Sequence, residues 1–258
     1  MPLVALLLSA AAPAAPLTPN GPWLVEAEAS SCAFSRAYGA GGNSVRAGMK
    51  PAFTAPTMQV FGFSRNTSTG TRTGKAVVTV GTGTPHQATF FSIKARDGDQ
   101  RITRVTVGRS VMDEFVSGGS LAIEADPVRV NVMLTAVNKA RAALDQCERS
   151  LLQEWGVDPE ALAANRAPKG EPWKFFGTDA YPTDALRAEM QGQVIAILQI
   201  APSGAVTGCR VVVSVGKPLD ERTCEISKRM HFQPGTDAAG HPAASQYIMP
   251  INWTLPTG

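Results

Sequence analysis

Four cysteines, at positions 32, 147, 209 and 224, are the side chains of this 258-residue chain most able to do chemistry. They form no C-x-x-C pair, so their spacing indicates neither a zinc site nor a thioredoxin-type redox site. In an exported chain an even number of cysteines favours disulfides, and four cysteines allow three connectivities. We favour Cys32–Cys147 and Cys209–Cys224, because each pair then lies within one of the two domains that the composition indicates.

The other candidates for catalysis carry no recognisable pattern. The three histidines, His86, His231 and His241, stand outside any H-E-x-x-H or other ligand-spaced motif. The sequence has no G-x-S-x-G elbow and no Walker loop, and the glycine-rich run 39–42 does not complete a dinucleotide-binding fingerprint. We therefore expect a protein that is not an enzyme and that uses neither a metal nor a cofactor.

Composition and charge exclude several other classes of protein. Hydrophobic residues make up 44% of the chain and charged residues 17%, which is enough to build a packed core. The net charge of +3 is too small for a dedicated nucleic-acid-binding domain, and we expect no nucleic-acid partner. The only long charge-free apolar run, residues 2–16, is shorter than the roughly 20 residues that span a bilayer, so no membrane span is predicted.

Residues 1–16 have the pattern of a signal peptide or leader. A short apolar run, residues 3–8, precedes a zone of small residues, and cleavage is expected near residues 12–15. No Lys or Arg precedes the apolar run, so either the α-amino group alone supplies the positive charge or the natural start lies upstream. A disordered Ala/Pro leader is the alternative interpretation. The favoured interpretation predicts export.

Residues 17–156 are predicted to form a β-rich domain closed by one long helix. Five short runs rich in β-branched and aromatic residues alternate with Gly, Ser, Asn and Asp clusters, which indicates antiparallel strands. These runs are 23–27, 75–80, 88–93, 102–107 and 121–123. Apolar residues then recur at three- and four-residue steps from Leu134 to Trp155, which predicts a helix, and Gly156 is suited to end it.

The remainder of the chain is predicted to be a linker followed by a small domain. Residues 157–172 are rich in Ala, Pro and charge, which favours a linker. Residues 173–258 carry the patterns of a helix, two strands, a second helix and a final strand. Their predicted bounds are 182–190, 193–200, 206–215, 219–230 and 246–255. This α-β-β-α-β order is typical of a small antiparallel α+β unit, so the predicted fold class is α+β.

The segment from Tyr181 to Leu255 resembles the C-terminal domain of TonB, the periplasmic end of an energy-transducing complex of Gram-negative bacteria. Positions that carry the resemblance, in family order and spacing, include Tyr181, Pro182, Gly192, Gly204, Leu219, Asp220, Phe232 and Pro234. Residues 144–158 are similar to the end of domains that precede TonB-like modules in exported alphaproteobacterial proteins. That second similarity assigns no activity to the N-terminal domain.

The resemblance implies peptide binding by β-strand addition at the edge of the last strand. The implied edge residues are Gln246, Tyr247, Ile248, Met249, Ile251 and Trp253. Pro250 cannot donate to a ladder, so it either marks an edge strand or limits strand addition to one half of this one. The alternative is that the strand only completes the sheet. The implied partner is a protein, such as an outer-membrane receptor segment, and the implied compartment is the periplasm.

Three functions stay open on this basis. The first is a non-enzymatic periplasmic protein that binds a partner segment by strand addition. The second is an energy transducer for TonB-dependent outer-membrane transport whose membrane anchor is missing from this sequence. The third is an envelope structural protein. We favour the first, because TonB carries an N-terminal transmembrane helix and a Pro-rich spacer, whereas this sequence has a cleavable-looking leader and a β-rich domain.

A basic stretch suggests a second kind of partner. Residues 36–109 contain eleven Lys and Arg against two acids, whereas residues 110–165 contain nine acids against four bases. One interpretation is a basic face for an anionic envelope component, such as lipid headgroups or an acidic glycan. The alternative is a solvated β surface that the acidic helix partly neutralises.

Overall fold

The chain is an α+β protein in a computed structural model, as the sequence predicts. The structure describes residues 15–52, 57–65, 70–95, 100–108, 110–126, 128–163 and 166–255, so most of the predicted leader lies outside the described residues. Contacts divide the chain into two compact units, each formed by three separate segments of the chain. The first unit comprises residues 1–24, 34–50 and 57–141, and the second comprises residues 25–33, 51–56 and 142–258.

A nine-stranded sheet occupies the N-terminal half of the sequence. Its strands are β1 (Leu24–Glu28), β2 (Ser31–Tyr38), β3 (Val45–Pro51), β4 (Thr57–Arg65), β5 (Arg72–Val80), β6 (His86–Lys94), β7 (Gln100–Gly108), β8 (Gly119–Ala125) and β9 (Val128–Leu134). Their spatial order is β1-β2-β3-β4-β7-β6-β5-β8-β9. The pairs from β4 to β9 are antiparallel, which confirms the predicted arrangement. Sequence patterns missed β2, β3, β4 and β9.

Residues 17–20 connect the far end of this sheet to β2. The backbone of Leu17 bonds to Asn131 and Met133 of β9, and Gly39 and Asn20 bond to Thr18 and Ala37 respectively. The strands of the first unit therefore form a closed ring, and closure satisfies backbone groups that an open edge would leave unpaired. The sequence gives no strand-like pattern for residues 17–20.

Alternate side chains fill the inside of the ring. Val60 of β4, Val105 of β7 and Val78 of β5 are completely buried on the same face of the sheet, as the two-residue period of a strand requires. A short helix, α1 (Val111–Ser117), adds Phe115, whose ring meets those of Trp23 and Phe34 edge-on at 6.1 and 5.7 Å. This aromatic cluster was not predicted, because its members come from segments far apart in the sequence.

The second unit contains a small sheet with helices on one face. The sheet has the order β11-β10-β14 and is formed by β10 (Gly192–Ile200), β11 (Val206–Val213) and β14 (Ser245–Trp253). The other elements are α3 (Pro159–Ala163), α4 (Thr183–Arg187), α5 (Lys217–Ser227) and a two-residue pair, β12 (Gly235–Thr236) with β13 (Pro242–Ala243). These bounds match the predicted helices and strands within a few residues, and α3 lies within the predicted linker.

Helix α5 covers one face of this sheet because its apolar residues recur at helical spacing. Leu219, Thr223 and Ile226 are buried along one side of the helix. They pack on a core formed by alternate residues of β10, among them Val194 and Leu198. The sequence Val194–Leu198 is continuously apolar, which is typical of a strand that is buried on both faces.

The opposite face of the same sheet is also buried. Ile195 and Ile197 of β10 are 3% and 0% exposed. Helix α2 (Val137–Glu154) ends on this side, where the Gly156 carbonyl accepts a hydrogen bond of 3.1 Å from the side chain of Gln246. Arg210, which lies opposite Ile197 on β11, donates to the Trp155 carbonyl. The C-terminal end of α2 is thus part of the second unit.

The helix end that makes these contacts is built by Gly156. This glycine has a φ of +64°, and the amides of Gly156 and Val157 bond to the carbonyls of Gln153 and Leu152. Those two bonds form a Schellman motif, which favours glycine at the left-handed position. The predicted helix stop at Gly156 is therefore the structural stop.

Two cystines join these elements. Cys32 pairs with Cys147 of α2, with their Cα atoms 6.1 Å apart, and Cys209 of β11 pairs with Cys224 of α5 at 5.6 Å. This is the connectivity that the sequence favours. Both members of each pair group with the second unit, since residues 25–33 belong to it. Within the residues that the structure describes, no helix combines the length and apolar character needed to cross a membrane.

Removing the Cys209–Cys224 cystine should destabilise the small sheet. The double variant Cys209→Ala/Cys224→Ala loses a closed loop with a sequence separation of 15, which is worth about 3 kcal/mol in the chain-entropy model. The measurement is hydrogen exchange of the β10 amides, which should become about a hundredfold faster. The single variant Cys224→Ala, which leaves Cys209 as a free thiol, should give the same loss. Unchanged β10 protection in both variants would contradict the stabilising role.

Candidate functional site

Strand β14 is an edge strand. It pairs along its whole length with β10, in a register that runs from Gly192 opposite Trp253 to Ile200 opposite Ser245. Among the described residues, no strand pairs with the side of β14 that faces away from β10. All six edge residues implied by the resemblance lie on β14, so the structure places them together in one strand.

The side chains of β14 are mostly engaged in folding. Tyr247, Met249, Ile251 and Trp253 face the core beneath α5, and Met249 is completely buried. Ile248 points to the opposite face and is 3% exposed. The side-chain amide of Gln246 binds the Gly156 carbonyl. The strand therefore offers a partner its backbone rather than its side chains.

Pro250 determines which backbone groups face outward. It lies opposite Ile195 in an uninterrupted register. Because proline has no N–H, the ladder with β10 is complete only when the Pro250 nitrogen faces away from β10. Backbone groups alternate along an antiparallel strand, so residues 246, 248 and 252 then present both N–H and C=O to the outer edge, and Pro250 presents its carbonyl alone.

Trp253 fixes the end of the edge strand. Its indole Nε1 donates to the Thr223 hydroxyl at 3.0 Å, and that hydroxyl donates to the Leu219 carbonyl at 2.7 Å within α5. The rings of Phe176 and Tyr181 meet the indole edge-on at 5.5 and 5.3 Å. Edge-to-face rings and a satisfied indole N–H are favourable for a buried tryptophan, so this contact holds β14 against α5.

Tyr247 packs beside the ring of Phe232, with ring centroids 4.7 Å apart. Burial raises the pKa of Tyr247 above its usual value, so its hydroxyl is uncharged at neutral pH. Phe232 itself is 2% exposed. This pair anchors the first half of β14, as Trp253 anchors the second half.

Most other motif residues also have structural partners. The Tyr181 hydroxyl donates to the Met190 carbonyl, and Pro182 directly precedes α4. Gly204 has a φ of +89°, and a Cβ there would collide with the Phe232 carbonyl. Asp220 accepts hydrogen bonds from the Val215 amide and the Ser214 hydroxyl just before α5.

Leu219 is completely buried, and Gly192 adopts a φ of +152° where β10 begins. Pro234 is half-buried and precedes β12. These three residues therefore have structural roles, as most of the other motif residues do.

The candidates for chemistry elsewhere form small, separate contacts. His86 Nε2 lies 2.9 Å from a Glu114 carboxylate oxygen, and His241 lies beside Asp237 in a turn. Hydrogen bonds within that turn hold the pKa of Asp237 below its usual value, and the bond from the His241 amide has the largest effect. Across the described parts of the chain, no group of three or more His, Cys, Asp or Glu side chains is close enough to hold a metal.

The described cations of the basic stretch do not gather on one face. Arg36 binds the carbonyls of Gly21 and Thr135, and Arg101 is completely buried and binds the Gly70 carbonyl. The sheet register places the exposed Lys75 and Arg104 on one face. It places Arg72 and Lys94, which lie opposite Ser92 and Arg101, on the other. Within the basic stretch, Lys75 and Arg104 are thus exposed on the outer face, where they could meet an anionic partner.

Sequence patterns missed two features of this unit. Arg210 and Gln246 bind the end of α2, although nothing in their local sequence indicates a partner about 55 to 90 residues away. The predicted linker also contacts the small domain, since Lys169 and Gln233 exchange backbone hydrogen bonds at 3.0 and 2.9 Å. One signal for this contact was available in the sequence. Three of the four residues Pro172–Phe175, and Phe176 after them, are apolar, which is unusual for a solvated linker.

A three-stranded antiparallel sheet with a helix on its core face and an edge strand defines a small α+β domain. Residues 178–255 match the family model described as Gram-negative bacterial TonB protein C-terminal. This segment, about a third of the chain, therefore belongs to the TonB C-terminal-domain family, whose members take part in protein contacts of the Gram-negative envelope. No curated protein and no solved structure is significantly similar to the chain.

Substituting Gly204 should destabilise the small domain more than substituting another left-handed glycine. Gly204→Ala forces a methyl group onto the Phe232 carbonyl, whereas a Cβ at Gly240, with a φ of +86°, meets nothing within 4 Å. Left-handed strain alone costs about 1–2 kcal/mol, so Gly240→Ala should stay in that range and Gly204→Ala should exceed it. Urea unfolding of both variants checks this. Equal losses would show that the close approach at Gly204 is unimportant.

Proposed function

We propose that the chain is a non-enzymatic periplasmic protein that binds an extended segment of a partner protein by strand addition at β14. The observation that carries the proposal is the unpaired outer edge of β14, whose own side chains are committed to the core. An edge with free backbone groups and fixed geometry is what β-strand addition requires. The family match supports a protein partner in the cell envelope.

The proposed partner is a segment of an outer-membrane receptor. Backbone hydrogen bonds to residues 246, 248 and 252 would supply the affinity, with an interruption at Pro250. Trp253 and Tyr247 hold the edge in place at its two halves, so little ordering of β14 would accompany binding. An energy transducer and an envelope structural protein are the competing functions, and both would use the same small domain.

Strand addition predicts a specific dependence on the backbone of the peptide. Synthetic ten-residue segments of outer-membrane receptors, titrated to millimolar concentration, should shift the amide resonances of residues 246–253. An added strand bonds to β14 through every second residue. N-methylation of one alternate set of peptide nitrogens should therefore abolish binding, and methylation of the other set should leave it nearly unchanged.

The paired N-methylated peptides are matched controls, because their side chains are identical. If both methylated sets bind as well as the parent peptide, the contact does not use backbone pairing. If no receptor segment moves the β14 amides at millimolar concentration, strand addition at this edge is wrong.

Export can be tested separately from peptide binding. The leader pattern predicts that the protein recovered from the periplasm begins near residues 12–15. N-terminal sequencing of the protein expressed from its natural gene is the measurement. A retained and longer hydrophobic N-terminus would instead favour the energy transducer, because such a chain would keep an anchor in the inner membrane.

A further inference from the structure

Two aromatic side chains are exposed just before the matched domain. Trp173 is 61% exposed and Phe175 is 45% exposed, and Trp173 has the greatest exposure of any large hydrophobic side chain among the described residues. Both belong to a 3₁₀ turn, Pro172–Phe175, whose first residue is buried. We refer to Trp173 and Phe175 as the aromatic pair. Its backbone is anchored while its rings face solvent.

The contacts at either end of this segment place it alongside β14. Gly170 lies against the ring of Phe232, which packs on Tyr247 of β14. Six positions further along each segment, Phe176 meets Trp253 of β14 with ring centroids 5.5 Å apart. Residues 170–176 therefore run in the same direction as residues 247–253 of β14, on the side of the sheet that α5 covers.

The aromatic pair does not belong to the family segment. The match begins at residue 178, after both residues of the pair. Single exposed apolar residues are ordinary on a protein surface, but two exposed aromatic rings two residues apart, on a segment that contacts the edge strand through Phe176, are unusual. The pair is a feature of this chain rather than of the matched domain.

Strand addition at β14 leaves the question of what makes binding selective. Backbone hydrogen bonds are the same for any extended sequence, so selectivity comes from pockets or surfaces beside the edge. The side chains of β14 that face α5 are buried in the core and cannot provide them. The aromatic pair is exposed apolar surface on the segment that runs along β14 on that side.

We propose that the aromatic pair selects the partner segment. The occupant is an extended segment of another protein that carries apolar side chains at alternate positions. Its backbone pairs with β14, and the apolar side chains on the α5 side cover Trp173 and Phe175. The unpaired N–H and C=O groups of the edge require an extended peptide, and its two-residue period presents every second side chain to the pair. This proposal rests on strand addition as the function.

The test uses two synthetic peptides of the same composition on the full chain. In one peptide valine and threonine alternate over ten residues, and in the other the valines are gathered in one half. The chain carries 5-fluorotryptophan, and the Trp173 resonance is the one that disappears in Trp173→Phe. The alternating peptide should shift this resonance together with the β14 amides, and it should bind more tightly than the second peptide.

Variants then separate the aromatic pair from the edge. Trp173→Ser and Phe175→Ser should each weaken binding of the alternating peptide about tenfold, as is common for central aromatic contacts. Both rings are exposed, so β10 amide exchange should be unchanged and should confirm folding. Phe91→Ser is the matched control, because Phe91 of β6 is 42% exposed in the first unit. It should leave the affinity unaltered.

Three results would contradict the proposal, and each has a different consequence for strand addition at β14. If the β14 amides shift but the Trp173 resonance and the affinities of the variants do not change, the pair has no role and strand addition stands. If neither these peptides nor receptor segments shift the β14 amides, strand addition fails as well. If Trp173→Ser changes the sedimentation of the protein rather than its affinity for peptide, a second copy of the chain covers the pair.

Discussion

The small domain depends on one constraint, which is that β14 buries side chains on both of its faces while only one of its backbone edges is paired. On one face Met249 and Trp253 complete the core under α5, and on the other Ile248 is buried. A strand held in this way cannot rotate or shift its register by one residue, because such a shift would exchange the two sets of side chains. The free edge is therefore presented in a fixed geometry.

Helix α2 contributes to that rigidity. Its end binds β11 through Arg210 and β14 through Gln246, the two outer strands of the small sheet. Ile195 and Ile197 of β10 are buried on the face of the sheet where these bonds are made. The sheet is thus covered on both faces, although the matched family segment supplies only the helices of one face. The preceding sequence supplies the other cover.

Sequence reasoning predicted well what is local or periodic. The continuous apolar run of β10, the helical spacing of α5 and the glycine that ends α2 each follow from the residues themselves. The cystine connectivity followed from the expectation that paired cysteines share a domain. The TonB-like motif predicted the order of elements correctly because its residues are mostly structural.

The features that escaped prediction depend on contacts between distant segments. Residues 17–20 have no strand pattern, yet their backbone joins β9 to β2, because hydrogen bonding of the main chain needs no particular side chain. The aromatic cluster of Trp23, Phe34 and Phe115 joins three such segments. The basic stretch forms one block in the sequence, but strand alternation distributes its described side chains to two faces and into the core.

The two cystines differ in how soon they can form. Cys209 and Cys224 are 15 positions apart in the sequence, whereas Cys32 and Cys147 are 115 positions apart. The entropic free-energy cost of closing the longer loop in an unfolded chain is therefore greater by roughly 2 kcal/mol. The shorter bond therefore has an effective thiol concentration more than tenfold higher in an unfolded chain. The bond to Cys32 forms efficiently only after folding has brought α2 close to the β1–β2 hairpin. Oxidation of this chain thus has a built-in order, in which the small domain closes first and the long loop is fixed last.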